Sequence, residues 1–166
     1  MTREDRTVTY LPDDVYALVE GSVPLLCVDF VPVRAIPRGQ EVGLILRDSP
    51  FGAVWCHLGG RVLRGETLVS ALRRHASETL DVDINVEVNA QPGHVYEWFP
   101  TELAPGDGTE HGEDPRKHSV GLSYVVGLIG EPSPRNEATA FDYFPVADLP
   151  QPMWPGSEAL LSHLLS

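Results

Sequence analysis

Lysine is almost missing from this chain: Lys117 is the only one, and arginine supplies the rest of the 12 basic side chains. Set against 24 aspartates and glutamates, they leave a formal charge of −12. That balance excludes a basic nucleic-acid-binding surface and adhesion to an anionic membrane. An anionic small ligand would need a local cluster of arginines or a metal ion to offset the bulk charge. Cysteine is scarce as well. Cys27 and Cys56 are the only two, too few for a disulfide scaffold or a zinc site. Both lie in apolar runs and are expected to be free, buried thiols. No stretch approaches the ~18 continuous apolar residues of a membrane span. The N-terminal Met-Thr-Arg-Glu-Asp-Arg has no apolar signal-like run. A cytoplasmic location is the resulting expectation.

What is present suits a folded core. The chain has 166 residues, 42% of them hydrophobic, enough to bury one substantial core. Residues 1–166 are read as a single domain. Residues 11–20 predict a short helix, with Pro12, Asp13 and Asp14 suited to its first turn. The β-branched run from Val23 to Val33 predicts a central strand. A turn over 34–39 leads to a second strand over 41–46, a hairpin whose loop exceeds two residues. After the glycine-punctuated stretch 50–66, Leu68, Leu72, Ala76 and Leu80 recur every four residues and predict a helix from Thr67 to Leu80. Thr67 is placed to cap it.

Val82, Ile84, Val86 and Val88 alternate with polar residues, the pattern of a half-buried strand over 82–88. Residues 94–100 form an aromatic strand. Residues 104–118 carry almost nothing apolar and read as an exposed loop bordering a site. Further strands are expected over 118–130 and 141–144, with a terminal helix over 157–165. Strands covered by helices define one layered α/β (α+β) unit with a mixed β-sheet.

The chemistry concentrates between Gly60 and Val82. Gly60, five residues, Glu66, seven residues and Arg74 follow one another at the spacing of the Nudix box, and Trp55-Cys-His-Leu-Gly-Gly60 resembles the lead-in to that box. The chain therefore resembles the Nudix hydrolase superfamily from about Val23 to Leu149, which implies an α/β/α sandwich. In an intact box, helix carboxylates bind Mg²⁺ or Mn²⁺, hard cations that grip a diphosphate. Here the box is degenerate. Of the three helix glutamates that follow the arginine only Glu78 stands, while His75 and Thr79 occupy the other two positions.

Within the superfamily the pattern is most similar to GDP-mannose mannosyl hydrolases. The resemblance implies an active-site acid at Asp29, arginines at Arg47 and Arg61 facing the diphosphate, and a metal-binding carbonyl at Gly59. It implies Glu66, Arg74 and Glu78 as further catalytic residues, with Glu78, helped by His75, as the metal ligand; the alternative for Glu66 and Arg74 is a structural ion pair that holds loop to helix. That family's metal-binding glutamate falls at Thr79, and its glutamine–histidine pair falls near Thr139 and Ala140, so no general base is assigned. His111 and His118, in and beside the polar loop, are the candidates from elsewhere in the chain. The resemblance implies a Mg²⁺- or Mn²⁺-dependent hydrolase of a nucleoside diphosphate-linked substrate such as a nucleotide sugar, and a homodimer. The alternative is a catalytically inactive Nudix-like domain that binds a nucleotide or sugar phosphate as a sensor or accessory protein.

Overall fold

A computed structural model describes residues 10–166; the N-terminal hexapeptide read above lies outside the described residues. Helix α1 spans Asp13–Glu20 and leads into strand β1, Leu25–Ile36. Strands β2 (Gly39–Ser49), β3 (Gly52–Cys56) and β4 (Leu58–Arg61) precede helix α2, Leu68–Leu80. Strands β5 (Asp83–Asn85), β6 (His94–Phe99), β7 (Gly112–Glu113), β8 (Ser119–Ile129) and β9 (Ala140–Pro145) follow, and helix α3, Ser157–Leu164, ends the chain. No helix among the described residues is long and apolar enough to cross a membrane.

The long apolar strand β1 organises the sheet. Its first half runs parallel to β8, while Cys27–Phe30 also pair antiparallel with β4. Its second half, Val33–Ile36, pairs with β2. Cys27 to Pro32 are all buried, as a strand covered on both faces must be. Helix α2 lays Ala71, Leu72, Ala76 and Leu80 against one face, where they join Val28, Phe30 and Leu58. The four-residue spacing thus does what amphipathic spacing dictates. Thr67 caps the helix, its side chain accepting the Ser70 N–H at 3.0 Å. The result is a mixed α/β fold with helices packed on a mixed sheet. Both cysteines are free and buried.

Three expectations are corrected. The β1–β2 hairpin has a two-residue turn, because Ile36 pairs with Gly39 and leaves only Pro37 and Arg38 between; Gly39 supplies the positive φ of 127°. The strand expected over 82–88 shrinks to Asp83–Asn85, and Val88 is 85% exposed. Strands β5 and β6 both pair with β8, β5 with its Gly127–Ile129 and β6 with its Ser119–Ser123. The chain must therefore leave the sheet between them, whatever its hydrophobic alternation. Finally, the stretch 104–118 is not loop throughout. Gly112–Glu113 pair with Trp98–Phe99, and Asp114 is buried.

Candidate functional site

The register of β1 places Asp29 opposite Gly59 on one side and Ser123 on the other. Its carboxylate fits there only because two neighbours lack side chains. A Cβ on Gly121 would lie 2.0 Å from Asp29 Oδ2, and one on Gly59 would lie 2.9 Å from Oδ1. Asp29 is 6% exposed, and Oδ2 has no hydrogen-bond partner among the described residues. Burying a carboxylate this way is costly unless something compensates it. The nearest ionisable partner is His57, whose Nε2 lies 3.4 Å from Oδ1. The other ring nitrogen of His57 faces Ser157 Oγ at 3.4 Å.

Asp29 and His57 line a cavity of about 140 Å³ together with Arg47, Arg116, Lys117 and Trp154. Asp114 holds Arg116 through two hydrogen bonds of 3.0 Å, one to each carboxylate oxygen. Arg47 and Lys117 have no carboxylate within ion-pairing distance among the described residues. Trp154 arrives because residues 152–154 are stitched to β3: Trp55 N donates to Pro152 O, and Trp154 N donates to Trp55 O. Its indole N–H donates to Glu113 O at 2.6 Å. The guanidinium carbons of Arg47 and Arg116 stand 5.7 and 5.1 Å from its ring centroid, a cation–π arrangement. Trp98 forms another wall, its ring 5.3 Å from that of His57. Cys27 and Cys56 also line the cavity. Burial, reinforced by the Asp29 charge, pushes the Cys27 thiol up to about 11. Burial likewise pushes Cys56 up to about 12 against the pull of Arg47. Neither is a thiolate near neutral pH, so neither is a nucleophile.

The box residues sit elsewhere. Adjacent residues of a strand point to opposite faces. A Cβ on Gly59 would meet Asp29, and one on Gly60 would meet the His75 ring at 2.7 Å. The cavity and the box helix therefore flank β4 from opposite sides. On the helix side Arg74 gathers the acidic groups. Its Nε donates to Glu66 Oε1 at 2.5 Å, one terminal nitrogen donates to Arg61 O at 2.9 Å, and the other to Glu78 Oε2 at 3.2 Å. Tyr10 donates to the second Glu78 oxygen at 2.6 Å. Burial raises the Glu66 carboxyl, but the Arg74 guanidinium and the Leu63 N–H outweigh it and hold it below the usual range. Burial, then the Arg74 charge, lowers His75, whose Nε2 lies 3.1 Å from Arg61 O. Thr79, buried, donates to Glu137 at 2.9 Å. Arg61 lies outside the cavity, its guanidinium 4.3 Å over the Tyr16 ring.

The expected set of Gly59, His75 and Glu78 around Mg²⁺ or Mn²⁺ is thus not assembled. Glu78 serves Arg74 and Tyr10, and His75 serves a backbone carbonyl. No group of three or more His, Cys, Asp or Glu among the described residues is placed to hold a metal ion. A hard divalent cation wants several free oxygens, and the cation already satisfying this cluster is Arg74. Of the expected site residues, the cavity brings together Asp29, Arg47 and Gly59; Arg61, Glu66, Arg74, His75 and Glu78 stay outside it. His111 and His118 do not line it either. Sequence reading missed His57, Arg116, Lys117, Trp98 and Trp154. One signal was available: two adjacent cations, including the sole lysine, inside an otherwise acidic loop.

A crystal structure from Jonesia denitrificans, described as a possible asymmetric diadenosine tetraphosphate hydrolase, is 31% identical and superposes with a TM-score of 0.71 over 86% of this chain and 96% of that one. A MutT NUDIX hydrolase from Burkholderia pseudomallei matches with a TM-score of 0.65 at 23% identity, over 86% of this chain and 98% of its own. The fold is therefore that of the Nudix superfamily. The chain belongs to the family described as "Domain of unknown function (DUF4916)", which matches residues 7–157. A stretch of 110 residues is 33% identical to the low-salt glycan biosynthesis protein Agl8 of Haloferax volcanii. That stretch spans 64% of this chain and 65% of Agl8, just under two thirds of that protein's length.

Two outcomes test this geometry. Gly121→Ala drives a methyl into Asp29 Oδ2 and should cost about 1–3 kcal/mol of stability. In an Asp29→Ala background the cost should largely vanish, so a double-mutant cycle by urea unfolding should show strong coupling. The second concerns acid. Folding holds His75 below its ordinary 6.5, so the unfolded chain takes up that proton first as pH falls. Folding likewise holds Glu66 below its ordinary 4.5. Both make the unfolded state the better proton acceptor as pH falls. Stability should therefore decline as pH falls below 6.5 and again below 4.5. His75→Gln should flatten only the first decline, read from melting temperature against pH.

Proposed function

We propose that the chain binds the phosphates of a nucleotide-derived small molecule in the Asp29–Arg47–His57 cavity, without a divalent metal, as a sensor or accessory protein. The observation that carries this reading is a buried, half-unpartnered carboxylate lining a cavity that also holds two cations, Arg47 and Lys117, without ion-pair partners among the described residues. Arg47 and Lys117 supply the positive charge that phosphate needs, and an arginine offers paired, planar donors to it. Asp29 is placed to accept a hydroxyl hydrogen from the group next to the phosphate, which favours a sugar. At about 140 Å³ the cavity is smaller than the roughly 300–1,000 Å³ that encloses a drug-sized ligand. It suits one phosphate or sugar end of a larger molecule. A similar structure described as a possible diadenosine tetraphosphate hydrolase supports a nucleotide-derived ligand, and a relative named a glycan biosynthesis protein supports a sugar within it.

A second reading rests on the 3.4 Å approach of His57 to Asp29. Such a pair can move a proton, which would make the chain a metal-independent hydrolase of the same ligand. Titration calorimetry with GDP-mannose in excess EDTA separates the readings. The first expects binding that survives EDTA, weakens roughly 10- to 100-fold in Arg47→Ala, and releases no sugar or phosphate over hours. Release that persists in EDTA and disappears in His57→Gln would install the second. Binding that appears only with Mg²⁺ or Mn²⁺ and is lost in Glu78→Gln would overturn both.

A further inference from the structure

A second cavity, of about 270 Å³, shares the Arg116–Lys117 segment with the first. Pro24, Pro100 and Pro115 wall it, and Val23 and Leu103 line it while staying 50% and 60% exposed. Its charges balance: Glu20 and Glu102 offset Arg116 and Lys117. That balance disfavours a second phosphate and suits a neutral group. His118 also lines it, with its ring stacked 4.3 Å from that of Phe99. The Nε2 of His118 is buried and has no hydrogen-bond partner among the described residues.

We infer that this second cavity is the nucleoside subsite of the ligand proposed above, and the inference rests on that reading. Size supports the division. Neither cavity alone reaches the roughly 300 Å³ at which pockets begin to enclose whole ligands, and the two together do. The ligand's phosphates then lie at the shared Arg116–Lys117 segment. A flat heteroaromatic base packs between the proline rings, beside the His118 ring. The sugar or terminal phosphate reaches the floor at Asp29.

Calorimetry in EDTA with two probes, inorganic pyrophosphate and GDP, tests this. The wild-type chain should bind GDP about tenfold or more tightly than pyrophosphate. Leu103→Trp, which fills the second cavity from an exposed position, should bring GDP affinity down toward that of pyrophosphate. Val23→Trp, which crowds the same cavity from another exposed position, should lower it likewise. Both variants should bind pyrophosphate as the wild type does, which also shows that they fold. GDP binding no tighter than pyrophosphate, or GDP affinity unchanged in both variants, overturns the subsite and leaves the phosphate cavity standing. Absence of pyrophosphate binding to the wild type overturns both.

Discussion

The site depends on one steric permission. Asp29 can sit on the most enclosed strand of the sheet because Gly59 and Gly121 leave space for its carboxylate on either side. A side chain at either position would evict it. Gly59 carries this role with a φ of 139°, a conformation open to glycine and costly to other residues. Its neighbour Gly60 admits the His75 ring from the other face. Two consecutive glycines thus let two groups close on one strand from opposite sides. The same pair keeps the cavity and the box helix apart.

That separation explains how a depleted box remains well ordered. A helix that carried several carboxylates would need an external cation to hold them together. Here Arg74, fixed on the same helix, satisfies Glu66, Glu78 and the Arg61 carbonyl with its own donors. Thr79 closes onto Glu137. Each polar group is paired within the chain, so the helix side is a structural centre. Arg47 and Lys117, which have no ion-pair partner among the described residues, gather with Asp29 on the other face, and cations left unpaired are what an anionic ligand can use.

The parts of this arrangement visible in the sequence are those written in local spacing. Leu72, Ala76 and Leu80 declare helix α2, Thr67 its cap, and the interval from Glu66 to Arg74 its ion pair. Asp29 stood out because a carboxylate in an apolar strand demands a partner. The rest is non-local. Strand β5 is short because it pairs with β8 only beyond the stretch that pairs with β6, and no window around Val82–Val88 contains that fact. His57 and Ser157 meet across 100 residues. Trp154 reaches the cavity through backbone bonds to β3 from a proline-rich stretch with no periodicity. The lone lysine, conspicuous at the outset for its scarcity, proves to line both cavities beside Arg116.

A crystal structure grown with GDP-mannose and Mn²⁺, with anomalous scattering to locate manganese, tests the central claim most directly. The diphosphate is expected beside Arg47 and Arg116–Lys117, the sugar on the Asp29 face, and no manganese at Glu66, His75 or Glu78. Manganese bound at Glu78 with the nucleotide's phosphates gathered around it would contradict the account.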